Sequence, residues 1–287
     1  MTKENNGMKK YVLYNPVAGN GNGRLQAKKL GERFGEDELV LCDVWEIESY
    51  GDFFAQLDAG ADVIVCGGDG TLNRFVNAVR GLKIEHPLYY FACGSGNDFL
   101  RDVEHDNGLV ALSPYLENLP TVSVQGKEYA FLNGVGYGID GYCCEVGDKL
   151  RVEKPGEEIN YTGIAIKGLL FHYKPVDATV IVDGKEYRFK KVWLAPTMNG
   201  RFYGGGMLPA PEQRREDTKI SVMIFHGTGK IKSLLIFPSI FKGEHVKKTK
   251  HISVLSGNEI TVRYDQPRAL QIDGETIVNV SQYTARK

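Results

Sequence analysis

Residues 61–79 read ADVIVCGGDGTLNRFVNAV, and the fold turns on how this stretch is read. Val63, Ile64, Val65 and Cys66 form a short apolar run of the kind found in a parallel strand buried on both faces. Gly67, Gly68, Asp69 and Gly70 then supply a tight turn. Leu72, Phe75, Val76 and Val79 recur at helical spacing, with Gly81 as the stop. The order strand, glycine turn, helix puts free backbone N–H groups at a helix start, where the dipole also favours an anion. Glycines lack a Cβ, so a phosphate can come close to that backbone. Asp69 suits a phosphate that carries magnesium better than a bare one. Taken alone, the glycines fit a plain turn of any α/β protein better than they fit a ligand site. The string is not a P-loop, which needs Gly-Lys-Ser/Thr, nor a dinucleotide fingerprint with its acidic residue further on.

The same pattern returns on either side of this stretch. Tyr11 to Tyr14 is a strand that runs into Asn15-Pro16-Val17-Ala18-Gly19, followed by a helix carrying Leu25, Leu30 and Phe34. Leu39 to Trp45 is a second strand, and Phe53, Phe54 and Leu57 mark a short helix. Pro87 to Cys93 is a strand that ends in Gly94-Ser95-Gly96-Asn97-Asp98. Glycine turns at the ends of neighbouring parallel strands form one crevice, and open α/β sheets bind ligands there. Asn15 can bond a base, ribose or phosphate, and Ser95 can donate to a phosphate. Asn97 and Asp98 can contact a ligand or simply cap a helix.

The chain has 287 residues, 42% hydrophobic and 25% charged, which fits an ordinary globular protein of one large or two smaller domains. A formal net charge of −1 gives no electrostatic footprint for nucleic acid. The five cysteines are odd in number and lack Cys-x-x-Cys spacing, so reduced thiols in a cytosol are expected rather than disulfides or a zinc site. No apolar stretch is long enough to span a bilayer, and the start carries no apolar signal region.

The motifs YNPVAG (14–19), GGDGTLN (67–73) and GSGND (94–98) together resemble the diacylglycerol kinase and sphingosine kinase-like lipid kinases of the NAD kinase superfamily. The resemblance implies an α/β nucleotide-binding domain, a C-terminal β-sandwich domain and an active site in the cleft between them. It also implies ATP and Mg2+ as cofactors. At the nucleotide it places Asn15, Pro16, Val17, Ala18, Gly19, Gly67, Gly68, Asp69, Gly70, Thr71, Leu72, Asn73, Ser95, Asn97 and Asp98. The chain departs from the family at Arg74, where Glu is usual. It departs again at Ala92-Cys93-Gly94-Ser95, where Pro-x-Gly-Thr is usual.

The texture changes near Pro120. Thr121 to Val124 and Tyr129 to Leu132 read as a hairpin, then Asn133 to Asp140 leads into a helix through Val146. Strands are expected at 178–182, 187–189, 192–196, 220–225, 252–255, 260–264 and 270–272, without long helices between them, which argues a β-sandwich. The domains are therefore 9–130, α/β, and 131–280, mainly β, with 1–8 as a disordered tail.

Asp140 has three readings: a magnesium ligand, a partner of the substrate hydroxyl, or a helix N-cap. Glu216 and Asp217 stand where the family often has Asp-Asp-Gly and a structural magnesium, giving Asp69, Asp140, Glu216 and Asp217 as candidate metal ligands; a solvated acidic turn fits the pair too. Asp183-Gly184 and Asp273-Gly274 both read as hairpin turns. Only the second continues to Glu275, matching the family's Asp-Gly-Glu, so the resemblance makes Asp273 and Glu275 the catalytic candidates, with Glu275 slightly favoured as base. The partner is then a lipid substrate. The run Leu234 to Phe241 beside Lys242, Lys247, Lys248 and Lys250 suits a peripheral membrane contact or, more simply, a core segment followed by a solvated turn. Two rival functions remain: a soluble-metabolite kinase nearer NAD kinase, and a nucleotide-binding regulator without turnover. The oligomeric state is left open, with a homodimer among the options.

Overall fold

The apolar runs of the first half become parallel strands: β1 (Lys10–Tyr14), β2 (Leu39–Asp43), β3 (Asp62–Gly67) and β4 (Leu88–Ala92). A short β5 (Leu109–Ala111) runs antiparallel to β4 and closes the sheet in the order β2-β1-β3-β4-β5. In this computed structural model residues 8–94, 96–154, 157 and 159–287 are described, and the chain divides into the units Met1–Glu117 and Asn118–Lys287. Residues 1–7 of the expected tail lie outside the described residues.

Val63, Ile64 and Val65 are buried because β3 lies between β1 and β4 and its faces are covered. The helix Asp69–Ala78 turns Leu72, Phe75 and Val76 inward. Each such burial contributes roughly 2 kcal/mol relative to exposure. The single helix expected after β1 is instead three short turns, Ala18–Gly21, Gly23–Lys28 and Gly31–Phe34. Gly19 and Gly21 take φ of +58° and +84°, which interrupts helical geometry. Ala27 and Leu30 reach the core, whereas Leu25 is exposed.

The second unit is built on one ten-stranded, largely antiparallel sheet. Its strands are β6 (Thr121–Val124), β7 (Lys127–Ala130), β8 (Gly134–Tyr137), β9 (Val176–Val182), β10 (Lys185–Val192), β11 (Thr197–Met198), β12 (Ile220–Phe225), β13 (Ile252–Gly257), β14 (Glu259–Ile272) and β15 (Glu275–Arg286). The hairpin β6–β7, read above as the end of the first domain, pairs through β6 with β15 and so lies in this sheet. The two short strands read at 260–264 and 270–272 are the one long β14, whose pairing with β15 shifts register between Arg263 and Leu270. β15 has no clean alternation to betray it: Asn279 sits at φ +57° by that irregularity, and exposed polar residues surround the buried Val280, Tyr283 and Ala285.

One core lies within this sheet, around Val135, Tyr137, Val180, Ile224, Val262 and Tyr283. A second joins the sheet to the helices Ile139–Glu153, Tyr161–Lys167 and Lys230–Ile236 through Ile139, Leu169, Trp193 and Phe225. Ile236, Phe237 and Ile240 belong to that second core, whereas Leu235 and Phe241 are exposed, so the run 234–241 divides between interior and surface. No helix among the described residues is long and apolar enough to cross a membrane.

Candidate functional site

In the first unit the site grows from the ends of β3 and β4. Gly67 closes β3, and Gly68, in extended backbone at φ −94° and ψ −175°, leads into the helix Asp69–Ala78 without a side-chain cap. A Cβ on Gly67 would stand 2.5 Å from the Thr71 Cβ. A Cβ on Gly68 would stand 3.2 Å from the Gly94 Cα, and one on Gly94 would stand 2.5 Å from the Gly68 Cα. The two glycine turns therefore touch backbone to backbone, and contact rather than unusual φ excludes a side chain at Gly94 and leaves little room for one at Gly68.

Asp69 fastens the two turns together. Its Oδ2 accepts the Asp98 N–H and its Oδ1 accepts the Phe99 N–H, both at 3.0 Å. Asn97, at φ +50°, closes the second turn by accepting the Gly94 N–H at 3.0 Å through its own Oδ1. Asp98 is buried, and its backbone is what Asp69 holds. Ser95 lies outside the described residues. Leu72 is fully buried and contributes packing, while the Asn73 Oδ1 accepts the Asn77 amide at 3.2 Å. Arg74 is exposed on the helix surface.

The third wall is the turn after β1. The Asn15 amide donates to the Thr71 hydroxyl at 3.3 Å, tying this turn to the first glycine turn. Its Oδ1 accepts the Val17 N–H at 3.1 Å, and the Ala18 N–H donates to the Asn15 carbonyl at 3.0 Å, which folds Pro16 to Ala18 back on Asn15. A Cβ on Gly19 would meet the Cys93 carbonyl at 3.6 Å, so the loop closes over the end of β4. The sequence reading missed Trp45. This indole is 63% exposed, and its Nε1–H donates to the Asn15 Oδ1 at 3.3 Å. The available signal was an aromatic just past a strand end, in a sheet whose strand ends bind ligands.

In the second unit β8 passes through Gly138 into the helix Ile139–Glu153, with Asp140 in its first turn. Asp140 is 7% exposed, and neither carboxylate oxygen receives a hydrogen bond of ordinary geometry. The Gly141 N–H, the Tyr203 hydroxyl and the Gln271 amide stand close enough to favour its charge without making such a bond. Burial outweighs them and pushes its pKa up from 3.8 to about 7. Room for this carboxylate exists because position 136 is glycine: a Cβ there would lie 1.7 Å from the Asp140 Oδ2. Burial also pushes the Tyr203 hydroxyl far up, with Asp140 reinforcing it.

The two Asp-Gly hairpin turns are alike in construction. Asp183 and Asp273 sit at φ +47° and +46°, and each accepts backbone N–H groups. Asp183 is exposed and takes those of Asn258 and Glu259, both at 2.9 Å. Asp273 is buried and takes those of Leu132, Asn133 and Gly134 at 2.6, 2.9 and 2.9 Å. Its lone pairs are thus used to anchor the segment entering β8. Glu275 is half-buried at the start of β15, near enough to Cys144 to raise the pKa of that thiol, as Asp140 does.

Among the described residues no three His, Cys, Asp or Glu side chains are grouped to hold a metal ion. Glu216 and Asp217 are exposed, and the Asp217 carboxylate accepts the Arg214 N–H at 3.2 Å. The cation facing that turn is Lys287, whose ammonium donates to the Arg215 carbonyl at 2.6 Å and the Asn199 Oδ1 at 2.7 Å. Its pKa falls through burial, with Asp217 and Glu216 opposing the fall. The Lys287 ammonium thus stands at the acidic turn, on the Arg215 carbonyl, where its charge already faces the two carboxylates.

Residues 9–120 match the family described as the diacylglycerol kinase catalytic domain. Residues 133–285 match the YegS C-terminal NAD kinase beta sandwich-like domain. The diacylglycerol kinase of Mycobacterium tuberculosis is 28% identical over 207 residues, a match spanning 67% of this chain and 64% of that relative's length. The YtlR protein of Bacillus subtilis is 22% identical over 300 residues, covering 92% of each chain. A diacylglycerol kinase of Bacillus anthracis strain Sterne has the same fold, with a TM-score of 0.59 at 19% identity over 98% of this chain and 94% of that one.

Proposed function

Because the chain belongs to the family that joins a diacylglycerol kinase catalytic domain to a YegS-type NAD kinase-like β-sandwich, we propose that it is an ATP-dependent lipid kinase. Its acceptor is a hydroxyl of a diacylglycerol-like or long-chain amino-alcohol lipid. The observation that carries this reading is the contact of the two glycine turns at Gly68 and Gly94, fastened by Asp69. Such chemistry needs positioning and charge stabilisation more than covalent help.

In this reading the turns at 67–71 and 94–98 hold the triphosphate through backbone N–H groups. Asn15 fixes the turn after β1, and Trp45 offers its face to the base. Magnesium bound to the triphosphate would supply charge neutralisation at the transferring group. Asp140 receives the acceptor hydroxyl. Glu275, the more accessible carboxylate, takes the hydroxyl proton as the new O–P bond forms and ADP leaves. Asp273 positions the segment 132–134 and is not the base.

The lipid acceptor calls for contact with a bilayer from the cytoplasm. Phe171, Ile231 and Leu235 are 70%, 76% and 75% exposed, beside the exposed Lys167, Lys230 and Lys232. They lie on two packed elements, since the Lys230 ammonium donates to the Leu170 carbonyl at 2.8 Å. Apolar side chains among lysines suit an anionic membrane surface. The kinase reading is tested by measuring ADP release with diacylglycerol or a sphingoid base in mixed micelles, against release with NAD. Release with a lipid and none with NAD supports it. The reverse supports a soluble-metabolite kinase, and ATP binding without release in any arm supports a regulator.

A further inference from the structure

The sequence leads one to expect reduced thiols, and two of the cysteines meet beside the glycine turns. Cys66 is the residue before Gly67, and Cys93 is the residue before Gly94. Their sulfurs stand 3.3 Å apart, with Cys66 fully buried and Cys93 half-buried. The Cys93 N–H also donates to the Gly67 carbonyl at 2.9 Å, so the backbones are locked in register beside the sulfurs. We propose that Cys66 and Cys93 form a dithiol modification site, which a hydroperoxide converts to a disulfide that distorts the nucleotide turns.

The chemistry balances with a hydroperoxide as oxidant. The Cys93 thiolate attacks the peroxide O–O bond, forming a sulfenic acid and releasing hydroxide, or an alcohol from an organic peroxide after protonation. The Cys66 sulfur then attacks the sulfenic sulfur. The S–S bond forms, the S–O bond breaks, and the Cys66 proton leaves with the hydroxyl as water. With hydrogen peroxide, two thiols and one peroxide give one disulfide and two waters.

Cys93 is suited to begin. Hydrogen bonding from Cys66 lowers its pKa, and the Lys29 charge adds to this against the cost of burial. Cys42, Cys143 and Cys144 are all pushed the other way, chiefly by burial.

The consequence follows from the packing. A disulfide is about 2.05 Å long, so the sulfurs must close by about 1.3 Å from 3.3 Å. Gly94 follows Cys93 directly and has no slack against Gly68, where even a Cβ would stand 2.5 Å from the Gly68 Cα. Any backbone adjustment that brings the sulfurs together therefore acts on the turns, and through them on the Asp98 and Phe99 N–H bonds to Asp69.

This consequence for ATP rests on the kinase reading, so the test carries a readout that does not. The full chain is treated with hydrogen peroxide, then digested and mapped by mass spectrometry with alkylation of remaining thiols. Hydrogen exchange is followed over 67–71 and 96–99, and ATP affinity is measured before oxidation, after it, and after dithiothreitol. The expected result is a linked Cys66–Cys93 peptide pair, at least tenfold faster exchange over 96–99 and at least tenfold weaker ATP binding, all reversed by dithiothreitol. Neither Cys66→Ser nor Cys93→Ser should form the linked pair or show its exchange change, and in Cys66→Ser the oxidation of Cys93 should stop at the sulfenic acid or go beyond it without a disulfide. If the reduced chain binds no ATP, the kinase reading fails while the linkage and exchange still judge the dithiol site. In the wild type, Cys93 found only as stable sulfenic or sulfinic acid, or a linked pair with unchanged exchange, would overturn the proposal.

Discussion

Replacing Asp140 by Asn should make the protein more stable at alkaline pH while impairing it as an enzyme. The substitution keeps shape and removes charge at a carboxylate whose oxygens are buried without ordinary hydrogen bonds. Its pKa rises from 3.8 to about 7 on folding, chiefly through burial. At 1.36 kcal/mol per unit, that shift corresponds to about 4 kcal/mol. The folded chain holds this proton more tightly than the unfolded one. The stability it contributes is therefore complete below about pH 4 and is lost as pH rises through about 7. At about pH 8 the wild type carries the cost of a buried charge and the Asn variant does not. Urea unfolding of both proteins at several pH values between about 4 and 8 should show the stability difference widening in the variant's favour by about 4 kcal/mol across that range. Turnover should fall over the same comparison, because Asn cannot hold a hydroxyl as a carboxylate does. Parallel stability curves, or a variant that loses stability as pH rises, would refute the buried-charge reasoning. Undiminished turnover would remove Asp140 from the acceptor site.

Three further outcomes are expected. Gly68→Val should abolish ATP binding in calorimetry while the chain stays folded by circular dichroism, because the first carbon already meets the Gly94 Cα at 3.2 Å; unchanged affinity would disprove close approach at this turn. Trp45→Ala should weaken ATP binding roughly tenfold, the equivalent of ~1.4 kcal/mol of base stacking, and an affinity equal to wild type would show that the indole does not meet the base. Phe171→Glu with Leu235→Glu should reduce co-sedimentation with anionic vesicles but leave that with neutral vesicles near its low baseline, and full retention on anionic vesicles would reject this surface.

Much of the scaffold was legible because it rests on local patterns. The run Val63 to Cys66 has no polar position, so a strand covered on both faces was the economical reading, and β3 is that strand. The antiparallel half announced itself through short alternating runs such as 178–182, which recur as β9. What escaped depends on partners far along the chain. Asp69 looked like a residue for a metal-bound phosphate, yet its carboxylate bonds N–H groups about thirty residues away, at Asp98 and Phe99. Residues 234–241 could not be split into surface and core from sequence, because only tertiary packing decides that Ile236 faces Trp193's core while Leu235 faces out.

The Asp-Gly turns teach the same lesson in a finer way. Local sequence reads Asp183 and Asp273 as equivalent, and their backbone angles and staple bonds agree. The resemblance separated them, but it could not say which carboxylate of Asp273-Gly274-Glu275 is committed to backbone. Three N–H donors on Asp273 do. The two variants should therefore fail differently: Asp273→Asn by losing stability as those bonds weaken, and Glu275→Gln by losing turnover alone, by ~10²–10⁴. Melting temperatures and rates of the two variants would separate these outcomes, and a Glu275→Gln variant that is destabilised but active would reverse the assignment.

Phosphoryl transfer to a lipid can be read by following a label from ATP. The chain is incubated with γ-labelled ATP, magnesium and a total lipid extract, and the organic phase is then resolved and each labelled species identified. With the wild type, label is expected in a lipid carrying a new phosphomonoester, and with Glu275→Gln at most a trace of that species. Label in no lipid, or equal transfer by both proteins, would contradict lipid phosphorylation with Glu275 as base.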